Sequence, residues 1–301
     1  QLAPSESYTP YQFLINESSD TPIDYWVIYN TVDIPETEYC DPQNIFLIIG
    51  EPSSIHTPHS QFLNQFAKII TTQKKLSGPH IIHQQTALPW LIEKDYNSLC
   101  TLREKKQHKI SVICSNKKFT KGHRARYKFC QKLKAHFGEK LDLFGRGIND
   151  FKDKWAVTAP YKFAVTIENY EEPHYFTEKI TDTFLGNTYP FYYGCPNITD
   201  YFPSQSLTQI NIHNIEESIH LIETQFNQHH FYEDHQDAVA KAKELCLNQY
   251  NLFPAIITFI QSQPTTNEPH LSKQTVYPES DFTLKNRAKS LFKQIKSKIT
   301  P

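Results

Sequence analysis

The stretch "KFAVTIENYEEPHYFTEKITDTFLGNTYPFYYG", residues 162–194, decides the fold. It opens on a short apolar run ending at Ile167, passes through a charged loop, and continues as a helical pattern over Thr177–Asn187. A second run rich in β-formers, "YPFYYG" at 189–194, closes it. Strand, loop, helix and strand at this spacing make a parallel β-α-β unit, because two parallel neighbours need a crossover long enough to hold a helix. In such a sheet ligands bind outside the carboxyl ends of the strands. The loop "ENYEEPHYFTEKI", residues 168–180, is therefore placed where chemistry is to be sought.

The same alternation extends to both sides. Upstream, "KISVICSN" (109–116) reads as a buried strand, and "HRARYKFCQKLKAHFG" follows as a helix. Its Tyr127, Cys130, Leu133 and Phe137 recur at helical spacing, and Gly138 suits its end. A strand "LDLFG" comes next; downstream lie "LTQINI" as a strand and "IEESIHLIETQF" as a helix. Residues 106–265 are thus expected to form one doubly wound α/β domain. Residues 1–105 read as a second α/β domain, with strands in "YWVIYN" and "IFLIIG" and a helical pattern in "SQFLNQFAKII" carrying Phe62, Phe66 and Ile69 on one face. The remainder, 266–301, reads as a polar linker followed by a basic amphipathic helix over 284–299. Leu284, Ala288, Leu291, Phe292, Ile295 and Ile299 share its apolar face. That helix is equally suited to an anionic membrane surface and to packing on its own domain.

Composition bounds the alternatives. With 301 residues, 39% of them apolar, the chain can bury two cores, and a disordered protein is excluded. Its 31 basic and 32 acidic residues nearly cancel, so no nucleic-acid partner is expected and any anion is bound locally. No run of 18 apolar residues occurs, and "QLAPSESYTP" lacks the regions of a signal peptide. The six cysteines are scattered without a Cys-x-x-Cys pair. Read as buried reduced thiols, they point to a cytoplasmic location, peripheral at the inner face of a membrane if the terminal helix binds there. Asn16 and Asn197 fit the glycosylation sequon, a pattern common by chance.

Within the loop, Thr177 is placed to cap the following helix, which leaves Glu178 and Lys179 in its first turn beside unpaired backbone N–H groups. A helix start attracts anions, and a lysine there runs against the macrodipole unless it has an anion to meet. The bland alternative is a solvated, charged helix end. The chain contains no Asp-x-Asp, so no metal site is expected on that pattern. The pairs His56/His59 and His80/His83 have zinc-compatible spacing but no completing ligand, and read as surface or acceptor-lining histidines.

Taken together, residues 159–197, "APYKFAVTIENYEEPHYFTEKITDTFLGNTYPFYYGCPN", resemble the signature of the α-1,3/1,4-fucosyltransferases. In that signature Tyr-Lys-Phe leads a strand, Glu-Asn ends it, Tyr-x-Thr-Glu-Lys opens a helix, and Pro-x-x-x-Gly closes the next strand. These stand here as Tyr161-Lys162-Phe163, Glu168-Asn169, Tyr175 to Lys179, and Pro190 to Gly194. The chain departs from the family at "ENYEEPH", where a serine usually follows the asparagine. "SNKKFTKGHRARYKFCQKL" resembles the family's arginine-bearing helix start, with Arg126 as the counterpart and Arg124 as a rival. "IIGEPSS" resembles its acidic residue before proline, which makes Glu51 the counterpart.

The resemblance implies an inverting glycosyltransferase of the GT-B type, with two Rossmann-like domains facing each other across a cleft. It implies transfer of L-fucose from GDP-fucose to an N-acetylglucosamine- or glucose-containing glycan, an oligosaccharide or lipopolysaccharide-type acceptor, in α-1,3/1,4 linkage. No cofactor is required in that reading, and a divalent cation at most stimulates. Catalysis falls to Glu51 as base and to Glu178 at the reacting sugar. Donor binding falls to Arg126, Lys179, Tyr175, Asn169, Glu168 and Thr177, the cations neutralising the departing GDP. Two other readings remain open: the same fold with another nucleotide sugar, and a non-catalytic glycan- or nucleotide-binding protein.

Overall fold

In the computed structural model, the described residues are 8, 10–116, 120–264 and 269–282; the helix expected over 284–299 lies outside them. The chain divides into two compact units. One holds Ala87–Gln263 with the described residues up to Gln12, and the other holds Phe13–Thr86 with the described residues from Pro264 onward. The division thus falls at residue 86 rather than at 105. The reason is packing: Trp90, Ile92 and Leu99 are buried in the same core as Ile110, Val112 and Phe163. The segment after 264 is not simply a linker either. Ser272–Val276 forms a strand antiparallel to Glu36–Cys40, and Val276 is buried in the smaller unit's core.

The smaller unit contains β1 (Trp26–Tyr29), β2 (Glu36–Cys40), β3 (Ile45–Ile49), α1 (Ser60–Leu63), β4 (Lys68–Thr71) and β5 (Ile81–His83). Strands β1, β3, β4 and β5 form one sheet in the order β1-β3-β4-β5, with every pair parallel. All five residues of β3 are buried, as a central parallel strand covered on both faces requires. The helix expected through Ile70 stops after one turn at Leu63. Ile69 instead lies fully buried in β4, where a β-branched pair at 69–70 fits a pleated sheet better than a helix. Phe62, Phe66 and Ile69 still share one core, so their common face is real although its period is not helical throughout.

The larger unit contains α2 (Tyr96–Thr101), β6 (Gln107–Ile113), α3 (Lys121–Phe137), β7 (Leu141–Phe144), β8 (Tyr161–Ile167), α4 (Glu178–Leu185), β9 (Tyr189–Tyr193) and β10 (Thr208–Gln209). After these come α5 (Ile215–Asn227), α6 (Phe231–Asp234), α7 (Gln236–Asn248) and α8 (Leu252–Gln261). The sheet runs β10-β9-β8-β6-β7 and is parallel throughout. Helices cover both faces. On one, Phe163 of β8 meets Phe226 of α5 at 5.6 Å; on the other, Thr166 of β8 bonds Thr183 of α4 at 3.0 Å. Period-2 alternation along β8 sends these two side chains to opposite faces. The unit is an α/β doubly wound domain, and the smaller unit is built on a parallel sheet of its own.

One close approach fixes how the sheet meets α3. A Cβ added at Gly122, in the first turn of that helix, would lie 2.4 Å from the backbone oxygen of Asn169 just after β8. Only a residue without a side chain lets the two segments come this near. Gly122→Ala is therefore expected to destabilise the protein by about 1–3 kcal/mol, the usual range for an extra carbon forced into a packed site. Urea denaturation measures this; a change below about 0.5 kcal/mol, the scatter of neutral surface substitutions, would show that the contact yields freely.

Candidate active site

Strands β6, β8 and β9 are parallel neighbours, so the segments leaving them, 114–116, 168–177 and 194–197, emerge from one edge of the sheet. Sequence places Glu168 at the end of β8 and Thr177 at the start of α4, and the fold closes the loop between them. The Glu168 side chain is fully enclosed and accepts from the Thr177 amide at 2.8 Å. It also accepts from the Thr177 hydroxyl at 2.8 and 3.0 Å, and from the Lys179 ammonium at 3.0 Å. Thr177 caps α4 in turn, its hydroxyl accepting from the Lys179 amide, and that hydroxyl also meets the Lys179 ammonium at 2.8 Å.

Lys179 is thus a paired cation rather than a free one. Burial works against its charge, but Glu168 and Glu178 outweigh that and raise its pKa above the ordinary lysine value. Its side chain keeps 24% of its surface exposed, so the ammonium is held from within and open from without. Glu178, equally exposed, lies 3.7 Å from it. Burial alone pushes the Glu178 carboxyl up, and the positive charges of Lys179 and Lys154 bring it below the usual value. One turn on, Asp182 is buried, accepting from Lys154 at 2.5 Å and from the Leu91 amide at 3.0 Å. Its burial lifts the carboxyl to about 6.

Arg126 comes from α3, whose start is fixed by a reciprocal cap between Thr120 and His123. Its guanidinium is buried and bridges two strand ends, donating to Asn169 at 2.5 Å and to Ser115 at 3.4 Å. Its Nε is buried without a partner among the described residues. Arg124, the rival, is exposed. Arg126 also stands beside Cys114, whose thiol is brought down to about 7, first by a hydrogen bond with Cys130, against burial, and then by the arginine's charge.

The loop that departs from the family pattern is tied down along its length. Tyr170 meets the ring of Tyr175 edge-on at 6.4 Å, and Tyr175 is buried. Glu171 accepts from the Tyr193 hydroxyl, whose pKa rises through burial and then through that carboxylate. Glu172 is buried. His174 donates its amide to Asn197 at 2.8 Å, and its ring meets the Tyr201 hydroxyl at 2.6 Å. Gly194 makes room for the centre of the site: at φ +157°, a Cβ on it would lie 2.4 Å from Glu168 Cγ.

The structure therefore gathers Arg126, Glu168, Asn169, Tyr175, Thr177, Glu178 and Lys179 at one sheet edge of the larger unit. Glu51 belongs to the smaller unit, where it follows β3 with an exposed side chain. The histidine pairs are engaged otherwise: Glu279 holds the His56 ring at 2.7 Å and the His59 amide at 2.6 Å, and the His83 ring meets the Leu76 carbonyl. Among the described residues no cluster of three His, Cys, Asp or Glu could hold a metal ion. Sequence reasoning missed the contacts of Lys154, Ser115 and Gly194, because each depends on a fold contact distant in the chain.

Comparison with known proteins bears on this same segment. Residues 103–243 match the family model described as "Glycosyltransferase family 10 (fucosyltransferase) C-term". That match spans just under half of the chain. Among solved structures, an α1,3-fucosyltransferase with GDP-fucose is similar at 19% identity, covering 78% of this chain and 81% of that one with a TM-score of 0.46. The α1,3-fucosyltransferase with GDP is similar at 18% identity over 79% of this chain and 80% of that one, TM-score 0.46. A point mutant of S. aureus TarM is similar at 12% identity over 66% of this chain and 44% of that one, TM-score 0.43. No curated protein matches.

The pairing of the enclosed Glu168 with the partly exposed Lys179 generates a stability prediction. Glu168→Gln removes the enclosed one of the two carboxylates beside the Lys179 ammonium and is expected to cost about 2–4 kcal/mol, while adding Lys179→Met should restore more than half of that loss. Denaturant titration of the single and double variants tests it, and strictly additive losses would show that the two groups do not act as a pair.

Proposed function

We propose that this chain transfers L-fucose from GDP-fucose to a hydroxyl of an N-acetylglucosamine- or glucose-containing glycan, with inversion and in α-1,3/1,4 linkage. The match of residues 103–243 to the family 10 fucosyltransferase model supports the reading as a glycosyltransferase, with the donor, linkage and residue roles proposed beside it. The observation that carries it is the half-open Lys179 ammonium, held from behind by Glu168 and Thr177 at a sheet edge that also presents a helix start. That arrangement suits a diphosphate leaving group.

In this reading the bond between sugar C1 and the phosphate oxygen breaks as the acceptor oxygen bonds to C1 from the opposite face. The electron pair leaves with GDP, and the acceptor's proton passes to a carboxylate base. Lys179 meets the growing negative charge on the diphosphate. Arg126 supports the same charge through Asn169 and Ser115, its buried guanidinium being an inner buttress to which Asn169 is the nearer group. Glu178, kept ionised by Lys179 and Lys154, faces the positive charge that builds on the sugar. Tyr175 and Asn169 shape the pocket. Glu168 and Thr177 act as the mount for Lys179 rather than as direct donor ligands, because every oxygen of that carboxylate is already engaged. Glu51, with its exposed carboxylate, is the base.

Product analysis with GDP-fucose and a glycan array tests the reaction, and thermal protection tests the donor. GDP and GDP-fucose should raise the melting temperature; protection by another nucleotide with none from GDP would move the assignment to a different nucleotide sugar. Lys179→Ala is expected to lose donor binding and turnover together. Glu51→Gln should keep donor binding and lose transfer about 100-fold or more, the usual contribution of a general base.

A further inference from the structure

We propose that Gln73 is a positioning residue for the base, holding the backbone from which Glu51 projects. The inference rests on the reading of Glu51 as base. Gln73 follows β4 and is fully buried, with its amide bonded to the Thr71 hydroxyl at 3.1 Å. Its side-chain nitrogen spends both hydrogens on one loop, donating to the Glu51 carbonyl at 2.8 Å and to the His56 carbonyl at 2.9 Å. These are the two ends of "EPSSIH", residues 51–56. Between them the loop is closed on itself, Ile55 and His56 both donating to the Pro52 carbonyl.

Neighbouring contacts complete the frame. Gly50 donates to the Asn30 side chain at 2.8 Å just before the loop, and Glu279 holds the His56 ring just at its end. Glu51 itself makes no side-chain hydrogen bond or ion pair among the described residues, and its side chain is exposed. A fixed backbone under a free carboxylate is what a base needs, since its direction is set before the acceptor arrives.

Both donors of the Gln73 side-chain amide are committed to the loop that carries Glu51. Burying a side-chain amide is costly unless both its donors and its acceptor are used, and Gln73 Oε1 is buried without a partner among the described residues. A residue of similar size without polar atoms would remove that orphan but leave the Glu51 and His56 carbonyls without these donors. The compensation is the pair of loop carbonyls, and the loop they belong to carries Glu51.

Gln73→Leu removes both donors and Gln73→Glu, of equal volume, replaces them with an acceptor; either is measured where one fails to fold. The expected result is a fall in kcat for transfer of about ten- to a hundredfold, the scale of a displacement near 1 Å, with donor KM within about twofold of the parent. Transfer should fall relative to hydrolysis of GDP-fucose by water. In a Glu51→Gln background the same substitution should cost almost nothing further, because the group it positions is already disabled. An equal loss in both backgrounds, or a loss confined to donor KM, would overturn the positioning role. If Glu51→Gln alone retained full transfer, the base assignment itself would fall, and the inference with it.

Discussion

The larger unit depends on one buried carboxylate. Glu168 stands at the end of β8, takes hydrogen bonds from the first residues of α4, and pairs with Lys179. A carboxylate taken wholly out of water is costly, and it persists only where its oxygens are engaged and a cation is near. Here one group meets both needs of the β8–α4 turn: it satisfies the amide of Thr177 and it anchors the lysine. Gly194 is the counterpart of that choice, since any side chain there would enter the space Glu168 occupies. Strand end and helix start are thus fixed to one another through a single side chain, for which Gly194 after β9 leaves the room.

The consequence for function is a division between what faces inward and what faces outward. Arg126 and Glu168 are enclosed, while Lys179 and Glu178 keep part of their surface open. The enclosed pair of groups sets where the open pair can go. Arg126 does for the ends of β6 and β8 what Glu168 does for the end of β8 and the start of α4, and Gly122 allows α3 close enough for it to reach Asn169. Fixed charges on fixed backbone are how a site lowers the reorganisation needed when charge develops.

The sequence made the larger unit legible from β6 to α5 because both periods are strong there: continuous apolar runs for buried parallel strands, and clean helical spacing in α3. It was less informative where burial is slight. β2 and the strand at 272–276 are mostly exposed, so no apolar pattern marks them, and the pairing that joins them spans most of the chain. The run from 60 to 70 carries apolar residues that suit a helix or a turn into a strand, and tertiary burial of Ile69 decided the matter. At the site, the cations and the helix cap could be read from local pattern and family resemblance. The ion pair of Glu168 with Lys179 could not, because it closes a loop whose shape no periodicity encodes. Gln73, in "IITTQKK", carries no local signal at all.

The loop 168–177 is where the chain departs from the fucosyltransferase signature that it resembles, and its contacts argue against a solvated bend. His174 adopts a left-handed backbone at φ +67°, which a residue with a side chain accepts only when its surroundings compensate. The compensation is visible: its amide and ring both engage the segment after β9, through Asn197 and Tyr201. Asn197 in turn takes the thiol hydrogen of Cys195 and donates to Asp200, so the bend is built into a network rather than resting on one bond. Glu171 and Tyr193 add a second tie between the same two segments. Residues 170–174 are therefore braced on the segment after β9 and lead into Tyr175 and the start of α4, and a substitution among them should be felt through the ring of Tyr175 before it is felt through any charge.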